Sequence, residues 1–178
     1  KFGRVSLLDM SKPLVVHAHH HCHVLIKVNG IDSYFSVKGK NQPLTNESVV
    51  LVNAWESHAY MHTLDGEGRC ILLALYLEPS WLKTILQALT ISSHPHFFPK
   101  SCAQLSQAAR KLADSLAIEM LVNECIDPDI LEERIFDLFM STVEHNSELK
   151  NSNALMLGLR SKALDPRIRR AITSMNRG

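Results

Sequence analysis

Histidines clustered near the start of the chain are the residues best suited to chemistry. Five of the ten histidines fall within the seven residues from His17 to His23. Alternate residues of a β-strand point to the same face of a sheet. If this segment is extended, His17, His19, His21 and His23 therefore share one face, and His20 faces the other way with Cys22. Such a tract predicts a transition-metal site, a polar ligand pocket or a solvated edge, because histidine-rich composition alone only suggests metal binding.

The segments around this tract are typical of β-structure over residues 1 to 77. Short runs rich in β-branched and aromatic residues are separated by turns that contain glycine. Asn29-Gly30 predicts a two-residue type I′ hairpin, and Lys38-Gly39-Lys40-Asn41 predicts a second turn. Many short strands at close spacing favour a small barrel or sandwich.

The pattern then changes to a helical period. A short helix is expected over residues 81 to 89, a second after the capping pair Ser101 and Gln104, and a third after the cap Asp127-Pro128. The last two helices predict an antiparallel hairpin, and part of their apolar stripes could face a partner chain. The candidate dimerisation residues are Leu105, Leu112, Leu116, Leu131 and Leu138.

Composition and charge narrow the class of protein. With 178 residues, 46% hydrophobic, 21% charged and a net charge of +1, the chain has the composition of a globular domain and not of a disordered or fibrous protein. No signal sequence or membrane-length apolar run is visible, and the four cysteines form no CxxC pair. We therefore expect free thiols and a cytoplasmic location.

The C-terminal end is basic. From Arg160 onward the chain has six basic residues and one acidic residue, whereas the first 159 residues carry a net charge of −4. Such a tail either approaches nucleic acid or is simply solvated. Residues 146–163 have the composition of a linker, and residues 164–178 predict a helix whose apolar stripe has nothing in this sequence to pack against.

The histidine spacing resembles the first motif of the cupin superfamily. His17-x-His19, three residues, His23, six residues and Gly30 fit that motif, with His23 where the family has a glutamate. His58 fits the histidine position of the second cupin motif, although its usual proline and glycine are absent. His62 lies near the asparagine position of the same motif.

The whole layout resembles the N-terminal sensor half of AraC/XylS-family transcription regulators. That resemblance implies a cupin-like double-stranded β-barrel over residues 1–78 and, over 79–145, helices that include a dimerisation hairpin. It further implies a linker over 146–163 and, over 164–178, the start of a truncated helix-turn-helix domain. The fold class is therefore expected to be mostly β with C-terminal helices. The implied partners are a homodimer, a small-molecule effector or metal ion, and DNA through the missing domain only.

The two resemblances leave three functions open. A sensor domain would hold a Zn, Ni, Cu or Fe ion on His17, His19, His23 and His58, or hydrogen-bond an organic ligand with the same side chains. Residues that could line a ligand pocket are Tyr34, Trp55, Tyr60 and His62. The alternatives are a metal-dependent cupin enzyme, of the dioxygenase or isomerase type, and a storage barrel. The missing carboxylate and the long helical part favour sensing over catalysis.

Overall fold

The computed structural model describes residues 1–62, 68–88, 97–123 and 125–146. Within them the chain forms eight β-strands and three α-helices. The strands are β1 (Gly3–Met10), β2 (Cys22–Gly30), β3 (Ser33–Val37), β4 (Lys40–Leu44), β5 (Ser48–Val52), β6 (His58–Met61), β7 (Cys70–Leu77) and β8 (Cys102–Gln104). The helices are α1 (Pro79–Ala88), α2 (Gln107–Val122) and α3 (Pro128–Asn146).

The strands form two antiparallel sheets. The larger sheet has the order β1-β7-β2-β5-β8, and the smaller one has the order β4-β3-β6. One apolar core contains residues from both sheets, and a second contains residues from the larger sheet and all three helices. The predicted fold class, mostly β with C-terminal helices and a cupin-like pair of sheets, is confirmed. Helices α2 and α3 are consecutive in the chain and contact each other, as expected of a helical hairpin.

The larger sheet is covered on both faces. Along β2, Val24 and Ile26 belong to the core shared with the helices, and Leu25 belongs to the core between the sheets. Neighbouring residues of a strand point to opposite faces, so His23, which is 3% exposed, lies opposite Val24 and on the same face as Leu25. Burial on both faces also explains the nearly uninterrupted apolar sequence of β7.

The prediction of a β-hairpin at Asn29-Gly30 is wrong. β2 pairs with β5 and β7, whereas β3 pairs with β4 and β6, so the chain crosses here between sheets. Gly30 has φ 84°, and a Cβ atom at this position would lie 1.9 Å from the carbonyl oxygen of Arg69. Glycine is needed because β2 and β7 come this close at their shared end. The turn at Lys38-Gly39 is confirmed, with φ of 52° and 74°, as a type I′ hairpin requires.

Helix α2 begins later than its predicted cap. Ser101 and Gln104 do not form a capping box, because residues Cys102–Gln104 extend the larger sheet as β8. Ser106 caps the helix instead, and its Oγ accepts a hydrogen bond from the amide of Ala109 at 3.0 Å. The cap at Asp127 is confirmed, since its Oδ1 accepts from the amide of Asp129 at 2.9 Å.

The five leucines assigned to a dimer seam belong to the core of this chain. Leu105, Leu116 and Leu138 are buried, and Leu112 and Leu131 pack against the same cluster. The larger sheet lies under the helices and packs against these apolar stripes within the chain, and the assignment of the five leucines to a dimer seam stays a prediction. The apolar residues exposed on α2 and α3 are Ile118, Leu121, Val122 and Ile130.

The cysteines of the described residues differ in burial. Cys22 does not face outwards into solvent but is fully buried under the helices, and burial raises the pKa of its thiol to about 11. Cys70 is also buried with a raised pKa, whereas Cys125 is exposed.

Because the thiolate is the reactive form, we expect a disulfide reagent to label Cys125 in the folded protein and Cys22 and Cys70 only after unfolding. Peptide mapping of the labelled protein checks this, and prompt labelling of Cys22 in the folded chain would contradict it.

Asn146, the first residue of the linker predicted over 146–163, is the last residue of α3, and the rest of that linker and the helix predicted over 164–178 lie outside the described residues. Among the helices that the structure describes, none combines the length and the apolar character needed to cross a bilayer.

Candidate metal centre formed by histidines

Two segments distant in sequence meet at the histidine cluster. The amide of His17 donates to the carbonyl of His58 at 3.0 Å, and the amide of His58 donates to the carbonyl of His17 at 2.9 Å. These two bonds form an isolated antiparallel bridge, not part of a longer strand. Residues 17–21 were expected to be extended, but β2 begins only at Cys22. The histidines that precede β2 are therefore placed by this bridge and by loop contacts.

The loop before β6 holds His19 from the other side. The carbonyl of His19 accepts a hydrogen bond from the amide of Trp55 at 2.8 Å. Trp55 has φ 63°, a left-handed conformation that is uncommon for a bulky residue and that persists only where the surroundings impose it. The ring of His19 turns inward, where its Nε2 lies 2.9 Å from Nε2 of His23.

All four histidines predicted to bind metal come together. The ring of His58 lies with its centroid 4.4 Å from that of His17, 5.0 Å from that of His19 and 4.9 Å from that of His23. One ring nitrogen each from His17, His19 and His58 lies within 4.8 Å of the other two. His21 is not part of this group, because its ring turns towards Glu78.

Backbone carbonyls orient two of the imidazoles. Nδ1 of His58 lies 2.7 Å from the carbonyl oxygen of Glu56, and Nδ1 of His17 lies 2.8 Å from that of Val15. A carbonyl oxygen only accepts, so each Nδ1 donates and each Nε2 keeps its lone pair. Metal-ligating histidines usually have this second contact, which fixes the tautomer and the ring orientation.

Burial and the proximity of other imidazoles favour the neutral form of His19, His23 and His58. Burial lowers the pKa of His23 to about 2, with a smaller contribution from the neighbouring His58 and His19. Burial, followed by the proximity of His58, lowers the pKa of His19 to about 4. The pKa of His58 is also lowered by burial, against the effect of its bond to Glu56. Neutral imidazole is the form that donates a lone pair to a metal ion.

The nitrogens left unpaired suit a cation. Nδ1 of His19, Nδ1 of His23 and Nε2 of His58 are buried and have no hydrogen-bond partner among the described residues. Leaving such a group unsatisfied costs about 1–3 kcal/mol each. An ion bound in the cluster would satisfy Nε2 of His58, and a set of neutral imidazole nitrogens fits Zn, Ni, Cu or Fe. The residues present therefore fit the group that the sequence predicts.

The four residues predicted to line a ligand pocket lie in two different environments. Tyr60 is buried, and its hydroxyl lies 3.2 Å from Nδ1 of His62, so these two come together. Tyr34 and Trp55 are 49% and 71% exposed. No bound ligand tests these assignments, which stay predictions.

Sequence reasoning missed Tyr76. This residue of β7 pairs in register with His23, and the centroids of the two rings are 4.5 Å apart. Its ring also lies 6.0 Å from that of His19, and the guanidinium of Arg4 lies 4.0 Å from its centroid. Only the pairing of β7 with β2 reveals this contact, because the alternation of residues within β7 does not indicate which strand pairs with it.

Comparison with known proteins identifies the family. The model of the AraC-like ligand binding domain matches residues 15–139, well over half of the chain. No curated protein matches the sequence.

Two solved structures of ToxT support the same fold. ToxT from Vibrio cholerae is 12% identical with a TM-score of 0.52, over 99% of this chain and 72% of that one. ToxT from Vibrio cholerae O395 bound to (E)-4-(8-methylnaphthalen-1-yl)but-3-enoic acid is 12% identical with a TM-score of 0.50, over 100% and 72%. Rru_A2000, a cupin-2 domain from Rhodospirillum rubrum, is 16% identical with a TM-score of 0.31, over 43% and 55%. Together with the family match, the fold and the histidine cluster lead to one conclusion: the chain belongs to the AraC-like ligand-binding domain family.

Proposed function

We propose that this chain is the effector-sensing domain of a transcription regulator and that its effector is a divalent transition metal ion. His17, His19, His23 and His58 would hold the ion. Membership of the AraC-like ligand-binding family supports the sensing role. The observation that carries the choice of a metal is the unpaired, buried Nε2 of His58, whose ring has its centroid within 5.0 Å of those of three other imidazoles.

The ligands belong to different strands and loops of the chain. His17 and His19 precede β2, His23 lies near its start, and His58 opens β6 in the other sheet. An ion bound to all four would cross-link the two sheets at the isolated bridge. The ion supplies a cation that accepts imidazole lone pairs, and the chain supplies their orientation through the carbonyls of Val15 and Glu56.

Strand β2 offers a route from the cluster to the helices. The strand carries His23 near its start and Lys27 further along. The carbonyl of Lys27 accepts a hydrogen bond from Arg110 of α2 at 2.6 Å, and the other terminal nitrogen of Arg110 donates to the carbonyl of Asn46 at 2.8 Å. Signalling through this contact requires that the ion bind two arrangements of the domain with unequal affinity.

The regulator role also implies partners. DNA would be bound by a helix-turn-helix domain that begins within residues 164–178 and continues beyond them, with the linker at 146–163. A homodimer would use the exposed apolar residues of α2 and α3, since three of the five leucines first assigned to it are buried and the other two are partly buried. Sensing is preferred to catalysis because the matched family is a ligand-binding one.

A small organic acid is the second candidate effector. One similar structure, ToxT from Vibrio cholerae O395, was determined with an apolar butenoic acid bound. Hydrogen bonds from the same histidines would then hold a carboxylate. A carboxylic acid and a metal differ in a simple respect, since only metal binding is abolished by a chelator.

Metal content tests the proposal directly. We expect protein purified without a histidine tag to contain at least about one equivalent of Zn, Ni, Cu or Fe per chain, measured by elemental analysis. Adding the stripped protein's preferred ion at 100 times its Kd should raise the free energy of unfolding by about 2.7 kcal/mol. Magnesium is the control, because it prefers oxygen ligands and should cause no such shift. Less than about a tenth of an equivalent, with no stabilisation by any of the four metals, would rule out metal sensing.

A further inference from the structure

We infer that His20, His21 and Glu78 form a second divalent metal site, separate from the four-histidine cluster. Nε2 of His21 lies 3.1 Å from Oε1 of Glu78, and Nε2 of His20 lies 3.7 Å from the same oxygen. One ligand atom from each of the three residues lies within 4.8 Å of the other two. None of these residues belongs to the first group.

The convergence of two imidazoles on one carboxylate oxygen points to a cation. A single ion pair would need only one of the two histidines, yet their rings lie side by side with centroids 3.9 Å apart. Two imidazoles and one carboxylate are a ligand set found in zinc sites that keep a fourth position for water. Zinc ligands lie about 2.0–2.2 Å from the ion, hence no more than about 4.4 Å from each other. The side chain of His20 is 55% exposed and has room for the small movement required.

Glu78 is fixed in place by the backbone. Its amide donates to the carbonyl of Phe2 at 2.8 Å, and its carbonyl accepts from the amide of Leu82 at 3.1 Å, in the first turn of α1. The carboxylate therefore projects from the junction between β7 and α1. Of the three ligands, only the two histidines belong to a segment without regular structure, so an ion would fasten that segment to a rigid position.

The second site lies beside the first. His19 and His21 have ring centroids 5.5 Å apart, and the ring of Tyr76 lies about equally far from both, at 6.0 Å and 6.1 Å. The backbone of residues 19–21 therefore carries ligands for both sites on successive side chains. Binding at one site restrains the segment that supplies the other.

The second site also connects the histidines to the helical layer. Glu78 directly precedes α1, and Trp81 in the first turn of α1 donates from Nε1 to Oε1 of Glu132 on α3 at 3.0 Å. The rings of Trp81 and Phe139 pack with centroids 5.8 Å apart. An ion held by His20, His21 and Glu78 would therefore connect the histidine segment, through α1, with α3.

Zinc titration of the full chain without a tag tests the second site. After removal of metals with a chelator, calorimetry should show two zinc equivalents for the unchanged chain and one for Glu78→Gln. Glu47→Gln is the matched control, because Glu47 is an exposed carboxylate that lies outside both groups, and it should keep both equivalents. The second site is overturned if Glu78→Gln still binds two equivalents, or if the unchanged chain binds only one and Glu78→Gln keeps it.

A His17→Ala/His58→Ala chain separates this inference from the proposed function. It should keep one zinc equivalent, and adding Glu78→Gln should weaken that binding at least about tenfold, whereas adding Glu47→Gln should not. If the doubly substituted chain is not folded by circular dichroism, His20→Ala/His21→Ala in the unchanged chain gives the same answer by loss of one equivalent. Loss of all zinc in a folded His17→Ala/His58→Ala chain would overturn the second site and leave the first intact. If the unchanged chain binds one zinc equivalent, which Glu78→Gln abolishes and His17→Ala/His58→Ala does not, the second site is supported and the first is refuted.

Discussion

Replacing His58 with alanine should lower the affinity of the four-histidine cluster for zinc by at least about 100-fold. The change removes the imidazole whose ring lies near those of all three other histidines, and whose Nε2 is buried without a partner. Changing a group that merely orients a metal ligand already costs 10–100-fold, and losing a ligand should cost more. Competition with a chromophoric chelator measures the affinity, in a Glu78→Gln background so that only this cluster is titrated.

His62→Ala is the matched control for this measurement. His62 directly follows β6, which His58 opens, and it hydrogen-bonds Tyr60, not a member of the cluster. Its loss should change zinc affinity less than about threefold. Equal losses in both variants would show that the effect comes from general damage to β6. An unchanged affinity in His58→Ala would remove His58 from the site and, with it, the main support for the proposed effector.

Replacing Leu138 with alanine should lower the free energy of unfolding by about 2–5 kcal/mol. Leu138 is 0% exposed and lies in the core shared by the larger sheet and the helices, so truncation leaves a cavity there. Leu121→Ala is the control, because Leu121 on α2 is 73% exposed. A change at such a surface position usually alters stability by less than about 0.5 kcal/mol. Urea denaturation followed by circular dichroism measures both.

The same pair of variants distinguishes a core from a dimer seam. Sedimentation velocity should show Leu138→Ala unchanged in its state of association while it remains folded, because the side chain has no exposed surface to offer a partner. Leu121→Arg is the variant that should shift any dimer towards monomer. The opposite result, a stable monomer with Leu138→Ala and no effect of Leu121→Arg, would restore the buried leucines as the interface.

The sequence identified the histidine cluster because motif spacing reports position within a fold. The intervals between His17, His19, His23 and Gly30 match the first cupin motif, and His58 matches the second. Alternation within an assumed strand, by contrast, was a poor guide to the same residues. It grouped His21 with the cluster and missed that the segment before Cys22 is irregular. Strand parity requires a continuous strand, whereas one bridge and separate loop contacts hold this segment.

Contacts between elements could not be read from patterns within them. Apolar stripes on α2 and α3 predicted buried faces correctly, but the stripe of Leu116 or Leu138 does not state whether a sheet or a second chain covers it. Asn29-Gly30 has the chemistry of a hairpin turn, yet the pairing of Gly30 with Cys70 sends β2 and β3 into different sheets. The approach of Glu78 to His20 and His21 likewise depends on β7 lying next to β2.

The isolated bridge between His17 and His58 bears on how fast an ion could enter and leave. Only two backbone hydrogen bonds join these residues, whereas β7 pairs along its whole length with β1 and β2. A region held by few hydrogen bonds opens locally at a much lower free-energy cost than unfolding of the whole domain. Separating two ligands by such an opening would expose the ion to water while the sheets and helices remain intact. The geometry therefore favours an ion whose residence time is set by a small local movement, which suits a sensor that must follow a changing concentration.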